Sequence, residues 1–115
     1  MVEGMVIVEI YRSNGTITGY SVRGHAGFSP RGEDIVCAAV SMLAQTTMLG
    51  LARYIDGLAY KVDESGILRC SLPKGLSQTQ LIQTEAILET MTAGFRNLQR
   101  DYSQYIRVFK RRWTS

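Results

Sequence analysis

The dipeptide Asn14-Gly15 separates two runs of strand-forming residues, and this constrains the fold more than any other feature of the sequence. A two-residue type I′ turn requires a positive φ at both central positions, which Asn and Gly tolerate best. In the run Met5–Arg12, alternate apolar side chains fall on one face of a strand. They are Val6, Val8 and Ile10. The pattern therefore predicts a β-hairpin that pairs Met5–Arg12 with a strand from Thr16 to about Arg23.

A long apolar segment predicts a helix that begins at Asp34, since aspartate is a favoured N-cap residue. We expect this helix to run to about Ile55 and to end at Asp56-Gly57, where glycine can adopt the left-handed conformation. Its apolar residues occur almost all round. We therefore expect the helix to be buried on most sides, with Met42 in the core.

The second half of the chain repeats the order of a hairpin followed by a helix. Leu58–Val62 and Ile67–Leu72 are expected to be strands on either side of a turn that contains glycine. Ser77 and Gln80 fit a capping box, in which each side chain accepts a hydrogen bond from the backbone N–H of the other residue. This predicts a second helix that ends near Asp101.

A final alternating segment, Tyr105–Arg111, predicts a strand at a sheet edge. The order is then β-β-α-β-β-α-β. Two helices can cover one face of a small antiparallel or mixed sheet. We therefore expect an α+β fold, a two-layer sandwich, that forms a single domain over residues 1–115.

Composition excludes several classes of protein. With 115 residues, 45% of them hydrophobic, and 2 prolines, the chain is typical of a folded domain. Its net charge of +3 is too small to indicate nucleic-acid binding by itself, so we expect no direct nucleic-acid partner. No continuous apolar run approaches the roughly 18 residues of a membrane span, and the N-terminus lacks the features of a signal peptide. We therefore expect a cytoplasmic protein with no membrane partner.

The sequence also offers little to bind a metal. It contains 1 histidine and 2 cysteines, which are too few soft ligands for a typical zinc site. We expect no metal or other cofactor. In a reducing compartment both cysteines are expected to be free thiols.

The histidine, His25, lies in a glycine-rich segment that precedes Cys37. With Asp34 as N-cap, Cys37 would be the third helical residue, where unpaired N–H groups and the helix dipole favour a thiolate. A nearby imidazole can take the thiol proton and later protonate a leaving amine. A cysteine among apolar neighbours is also typical of a core, and a loop histidine is often bonded only to backbone. The residues alone leave both interpretations open.

The sequence of this region as a whole is a more specific signal than the cysteine and histidine alone. It reads Gly24-His25-Ala26-Gly27 and then Gly32-x-Asp34-Ile35-Val36-Cys37-Ala38-Ala39-Val40-Ser41. This resembles the ribosomal-processing cysteine protease (Prp) family, in which a GHA segment precedes a helix start of the type G-x-DIVCAAVS. The resemblance implies a cysteine endopeptidase that removes the N-terminal extension of large-ribosomal-subunit protein twenty-seven. That extension ends in a segment with paired aromatic residues.

The resemblance also implies roles for individual residues. Cys37 would be the nucleophile, and His25 its general base and later its acid. Asp34 would support them by orienting the histidine or capping the helix, and Ser41 lies one turn after Cys37 on the same face. A loop that closes over the substrate would contain Gly24, Gly27, Phe28 and Gly32.

Partners follow from the same resemblance. The ribosomal protein precursor would be the substrate, and the chain would form a homodimer that buries the edge strand at Tyr105–Arg111. A different class of function stays open, a non-catalytic ribosome-associated binding module that uses the basic residues Lys110-Arg111-Arg112. Such a module has no need for the pair of Cys37 and His25. Cys70, which alternates with leucines in a predicted strand, is expected to be a packing residue.

Overall fold

The computed structural model describes residues 5–24, 31–64 and 66–112, with the side chains of residues 31–34 excepted. Its elements follow the predicted order and confirm the α+β class. The strand bounds agree with prediction to within one residue. The elements are β1 (Val6–Ser13), β2 (Thr16–Arg23), α1 (Arg31–Ala52), β3 (Ala59–Val62), β4 (Leu68–Ser71), α2 (Gln78–Asp101) and β5 (Ile106–Arg112).

The strands form one mixed sheet in the order β3-β4-β2-β1-β5. Strand β5 pairs parallel to β1, and the other neighbouring pairs are antiparallel. The predicted hairpin is confirmed, with φ of 53° at Asn14 and 83° at Gly15. The prediction of an edge strand near the C-terminal end is confirmed as well, because β5 is the outermost strand on that side.

Both helices pack on one face of the sheet. The even-numbered residues Val6, Val8 and Ile10 of β1 are buried in a single core with residues of both helices, such as Val40 and Phe95. The capping box at the start of α2 is confirmed, since the side chains of Ser77 and Gln80 each accept from the other residue's N–H. The result is the expected two-layer sandwich.

Helix α1 begins at Arg31, so the prediction that Asp34 is its N-cap is wrong. A signal for the earlier start is present in the sequence, because Pro30 precedes Arg31 and proline is common where helices begin. Asp34 falls in the first turn instead, and Cys37 falls in the second turn. The helix ends at Ala52 and is followed by a tighter turn.

The exposed side of α1 corrects a second expectation. Ile35, Met42 and Leu49 are 54%, 65% and 62% exposed, so the helix is not buried on most sides and Met42 is not in the core. These residues are seven apart, which places them in one stripe along the helix. A layer of two helices on one sheet face leaves one side of each helix without a neighbour among the described residues.

The same helix passes a test for membrane spans that the count of consecutive apolar residues did not apply. Ile35–Ala52 has a mean hydropathy of 1.8 and is long and apolar enough to cross a membrane by length and composition. This segment is not a continuous apolar run, because polar residues such as Ser41 and Gln45 interrupt it. The core helix of a soluble protein can pass the same test, and α1 contributes Val36, Val40 and Leu51 to the core.

Candidate active site

A cleft of about 330 Å³ lies between the first half of α1 and the strands beneath it. Helix α1 contributes Cys37, Ser41 and Gln45 to its lining. The opposite walls come from the ends of β1 and β2 and from the β3–β4 hairpin. The predicted nucleophile and its predicted supporting serine are therefore brought to one site.

Cys37 is half-buried, and its thiol is not part of a disulfide. Its place in the second turn of α1 changes the expected electrostatics, since the helix-dipole effect falls off within the first turn. The predicted base, His25, lies outside the described residues, but Gly24 precedes it in sequence and lines the cleft.

Gly24 cannot be replaced without strain. Its φ is +79°, and a Cβ atom at this position would collide with the carbonyl oxygen of Met5. Glycine here lets the chain leave β2 close to β1, at the wall of the cleft. Gly24 thus lies at the cleft, and its role in a loop that closes over the substrate stays a prediction.

The other predicted loop residues have different outcomes. Gly27 and Phe28 lie outside the described residues. Gly32 lies inside α1, so its prediction as part of a closing loop is wrong. The segment between β2 and α1 is correspondingly shorter than expected. For Asp34 only the backbone is described, and its supporting role stays a prediction.

Gln45 is a cleft residue that sequence reasoning missed. Its side-chain amide donates a hydrogen bond to Ser41 Oγ over 2.8 Å. Because the serine hydroxyl accepts this bond, its own proton is available to a second acceptor. A signal is present in the sequence, because Cys37, Ser41 and Gln45 are spaced by four in a mainly apolar helix and therefore share one face.

The second cysteine, Cys70, has a different environment. It is 2% exposed, and burial raises the pKa of its thiol to about 11, although a hydrogen bond with Tyr20 acts in the opposite direction. Tyr20 is fully buried, its pKa is raised by burial, and its hydroxyl donates to the carbonyl oxygen of Ala44 over 2.8 Å. The prediction that Cys70 is a packing residue is confirmed.

The wall that faces α1 is mainly apolar. Tyr60 and Val62 of β3, Leu68 of β4 and Val22 of β2 contribute to it. An apolar surface beside a thiol suits the side chain of a peptide substrate. Among residues 5–24, 31–64 and 66–112, no group of three His, Cys, Asp or Glu side chains is placed to hold a metal ion.

The sequence model of the family described as cysteine protease Prp matches residues 5–107. This chain belongs to the Prp cysteine protease family. The ribosomal processing cysteine protease Prp of Bacillus subtilis strain 168 is 27% identical over 108 residues, which are 90% of this chain and 96% of the relative. The chain is therefore a cysteine protease.

Solved structures show the same fold. The protein SMU.848 from Streptococcus mutans superposes with a TM-score of 0.78 at 23% identity, covering 95% of this chain and 96% of that one. The essential ribosomal processing protease Prp from S. aureus, solved with a substrate peptide, gives a TM-score of 0.78 at 22% identity. That match covers 93% of this chain and 100% of the S. aureus chain. The Prp fold therefore includes both helices and the mixed sheet described above.

Membership of the Prp family decides between the two classes of function left open by the sequence. A family of cysteine proteases supports an enzyme and does not support a non-catalytic binding module. Two cysteines are candidates for the nucleophile, Cys37 on the cleft and Cys70 in the core.

Proposed function

We propose that this chain is a cytoplasmic endopeptidase that removes the N-terminal extension of large-ribosomal-subunit protein twenty-seven. The observation that carries the proposal is the position of Cys37 on an apolar cleft in a chain of the Prp family. The name of the Bacillus subtilis relative, a ribosomal processing protease, supports the substrate class.

In the proposed mechanism, Cys37 is the nucleophile and His25 is the general base. The imidazole takes the thiol proton, and the thiolate attacks the scissile carbonyl carbon to give a tetrahedral oxyanion. The imidazolium then protonates the leaving amine as the C–N bond breaks, which leaves a thioester on Cys37. Water, deprotonated by His25, attacks the thioester and releases the new carboxyl group and the thiol.

The remaining predicted site residues support these steps. Asp34 is assigned to the orientation of His25, since a capping role no longer applies. The Ser41 hydroxyl, held by Gln45, donates towards the thiol or towards the oxyanion that forms on the substrate.

The cleft suits the proposed substrate. The apolar wall formed by Tyr60, Val62 and Leu68 can accept an aromatic side chain, and aromatic residues bury a large area for few rotatable bonds. The extension to be removed ends in paired aromatic residues.

The test is cleavage of the extended ribosomal protein, read by mass. We expect a single cut by the wild-type protein, no cut by Cys37→Ala, and a normal cut by the matched control Cys70→Ala if it remains folded. Circular dichroism checks that each variant is folded. Cleavage by Cys37→Ala would contradict the nucleophile assignment, and failure of the folded wild type to cut an authentic precursor would contradict the substrate.

We further propose that the protein is a homodimer that uses the β5 edge. The outer side of β5 has no neighbouring strand among the described residues, and such edges are usually covered or protected. Light scattering after size exclusion should give twice the chain mass of 12.8 kDa. A monomer over the micromolar range would contradict this proposal without affecting the protease assignment.

A further inference from the structure

The face of the sheet that turns away from the helices is rich in cations, and we call it the open face. Side chains alternate between the two faces of a strand, so neighbours of the buried residues in each strand point to this face. Its cations are Arg23, Lys61, Arg69, Arg107 and Arg111, and they are joined by Glu9, Tyr11 and Phe109. Five of the 13 Lys and Arg residues therefore share a surface with one described carboxylate.

The charge on this face is not neutralised within the described chain. Glu9 pairs with Arg111 over 2.7 Å, and it lies 3.9 Å from Arg23. Lys61, Arg69 and Arg107 form no ion pair among the described residues.

Two of these unpaired cations are direct neighbours. Lys61 and Arg69 are register partners on adjacent antiparallel strands, where strands are about 4.8 Å apart. Like charges directly opposite each other destabilise a sheet. A polyanion laid across the face would relieve this repulsion.

Aromatic side chains lie among the cations. Phe109 is 37% exposed, and the guanidinium carbon of Arg111 lies 4.9 Å from the centroid of its ring. Tyr11, half-buried beside them, is hydrogen bonded to Ser21. Stacked guanidinium and aromatic planes are surfaces on which nucleic-acid bases can stack.

We propose that the open face binds single-stranded nucleic acid. Cations on the β3–β4 pair and at Arg23 and Arg107 contact phosphates, and a base stacks beside Phe109 and Arg111. The combination of exposed ring and unpaired cations favours this ligand over an acidic protein or a double helix, whose bases are not free to stack. This proposal departs from the expectation that the chain has no direct nucleic-acid partner. That expectation used the net charge of +3, which is a sum over the whole chain and does not show that the cations are concentrated on one face.

The proposal does not depend on the proposed proteolytic substrate. The cleft with Cys37 lies on the helix side of the sheet, and the open face lies on the other side. Both can be occupied together. Loss of nucleic-acid binding should therefore leave cleavage of a short peptide unchanged.

The test measures binding of a labelled oligouridylate of about 12 nucleotides, within the usual range of single-strand site sizes. We expect the logarithm of the binding constant to fall with the logarithm of salt concentration with a slope of about −2 to −3, as for three or four phosphate contacts. The double variant Arg69→Glu/Arg107→Glu should lose at least tenfold in affinity and have a shallower slope. The matched control Arg53→Glu/Lys74→Glu, which makes the same charge change at exposed positions outside the strands, should stay within about twofold of the wild type.

A second variant separates nucleic acid from other polyanions. Phe109→Ala should weaken oligouridylate binding about fivefold or more with little change in the salt slope, because it removes stacking and no charge. Polyglutamate and anionic phospholipid vesicles should compete poorly. Equal affinity of all variants, equal competition by polyglutamate or vesicles, or a second copy of the chain that covers the whole open face, including Lys61 and Arg69, would each overturn the proposal.

Discussion

The two cysteines differ in burial, and we therefore expect them to differ in reactivity. Cys70, at 2% exposure, is held as a thiol by burial, which raises its pKa to about 11. Cys37 is half-buried and lines an open cleft. At neutral pH we therefore expect iodoacetamide to label Cys37 in the native protein and to leave Cys70 unmodified until the protein unfolds.

Mass spectrometry of the labelled protein checks this prediction. The native wild type should gain one adduct, located on Cys37, and native Cys37→Ala should gain none. Labelling of both cysteines after unfolding in denaturant is the control for reagent access. An adduct on Cys70 in the native state would contradict its assignment to the core.

Gln45 is hydrogen bonded to Ser41 in the cleft, and we expect its effect on cleavage to depend on the serine. A neutral hydrogen bond contributes about 0.5–1.5 kcal/mol, so Gln45→Ala should lower kcat/KM by roughly two- to tenfold. In the Ser41→Ala background, Gln45→Ala should have almost no further effect, because the acceptor is already absent. Additive losses in this double-mutant cycle would show that Gln45 acts in another way.

At the scale of elements, a buried hydrogen bond joins α1 to the sheet in addition to their shared core. The Tyr20 hydroxyl donates to the carbonyl of Ala44, in the helix turn that follows Ser41. Tyr20→Phe removes this hydrogen bond and the one between the hydroxyl and the Cys70 thiol, so we expect a loss of about 1–3 kcal/mol in the free energy of unfolding. Tyr54→Phe, at a 46% exposed tyrosine, is the matched control and should change it little.

Urea unfolding of both variants measures these free energies, and peptide cleavage adds a second readout. Tyr20→Phe should also reduce kcat, since the turn that carries Ser41 and Gln45 is then held less firmly over β2. A variant as stable and active as Tyr54→Phe would show that the bond does not position the helix.

The elements that could be predicted are those set by local chemistry. The Asn14-Gly15 turn and the capping box of Ser77 and Gln80 depend on residues a few positions apart, and both are present as expected. The burial of α1 depends on how many other helices and strands pack around it. The apolar character of a side chain such as Met42 does not show whether a neighbouring element covers it. The sequence predicted a start at Asp34 and not at Arg31, because an aspartate is favourable both as an N-cap residue and within the first turn of a helix.

The site was predictable only along one segment of the chain. The motif around Cys37 predicted that Cys37 and Ser41 share a site, since helical spacing places them on one face, and both line the cleft. The opposite wall was not predictable, because Tyr60 reaches the cleft through the pairing of β3 with β4 and of β4 with β2. Such pairings connect distant segments and have no local sequence signal.

For the molecule as a whole, Glu85 makes stability depend on pH. Burial and then the nearby charge of Glu89 raise its pKa, while a backbone hydrogen bond from Ile17 and the charge of Arg12 lower it. The folded state therefore holds this proton more tightly than the unfolded chain does. Its stabilising effect is present below the ordinary value of 4.5 and is lost as the pH rises through the raised pKa.

Glu85→Gln should therefore raise the melting temperature at pH 7 and make little difference at pH 4, where the wild-type carboxyl is protonated. Thermal unfolding at both pH values measures this. Glu64→Gln, at an exposed carboxylate, is the control for the loss of one negative charge. An equal gain for both variants at pH 7 would assign the effect to net charge rather than to the environment of Glu85.

The parallel pairing of β1 with β5 has a consequence for the order of folding. Val6, the first residue of β1, donates its N–H to the carbonyl of Tyr105 over 2.8 Å, and its side chain also lines the cleft. Contacts so distant in sequence form slowly, because a long loop must close before they are gained. The local hairpins and helices can assemble earlier, whereas the hydrogen bond that holds Val6 at the cleft forms only when the segment before β5 docks beside β1. During refolding, we therefore expect peptidase activity to lag behind the recovery of helical structure.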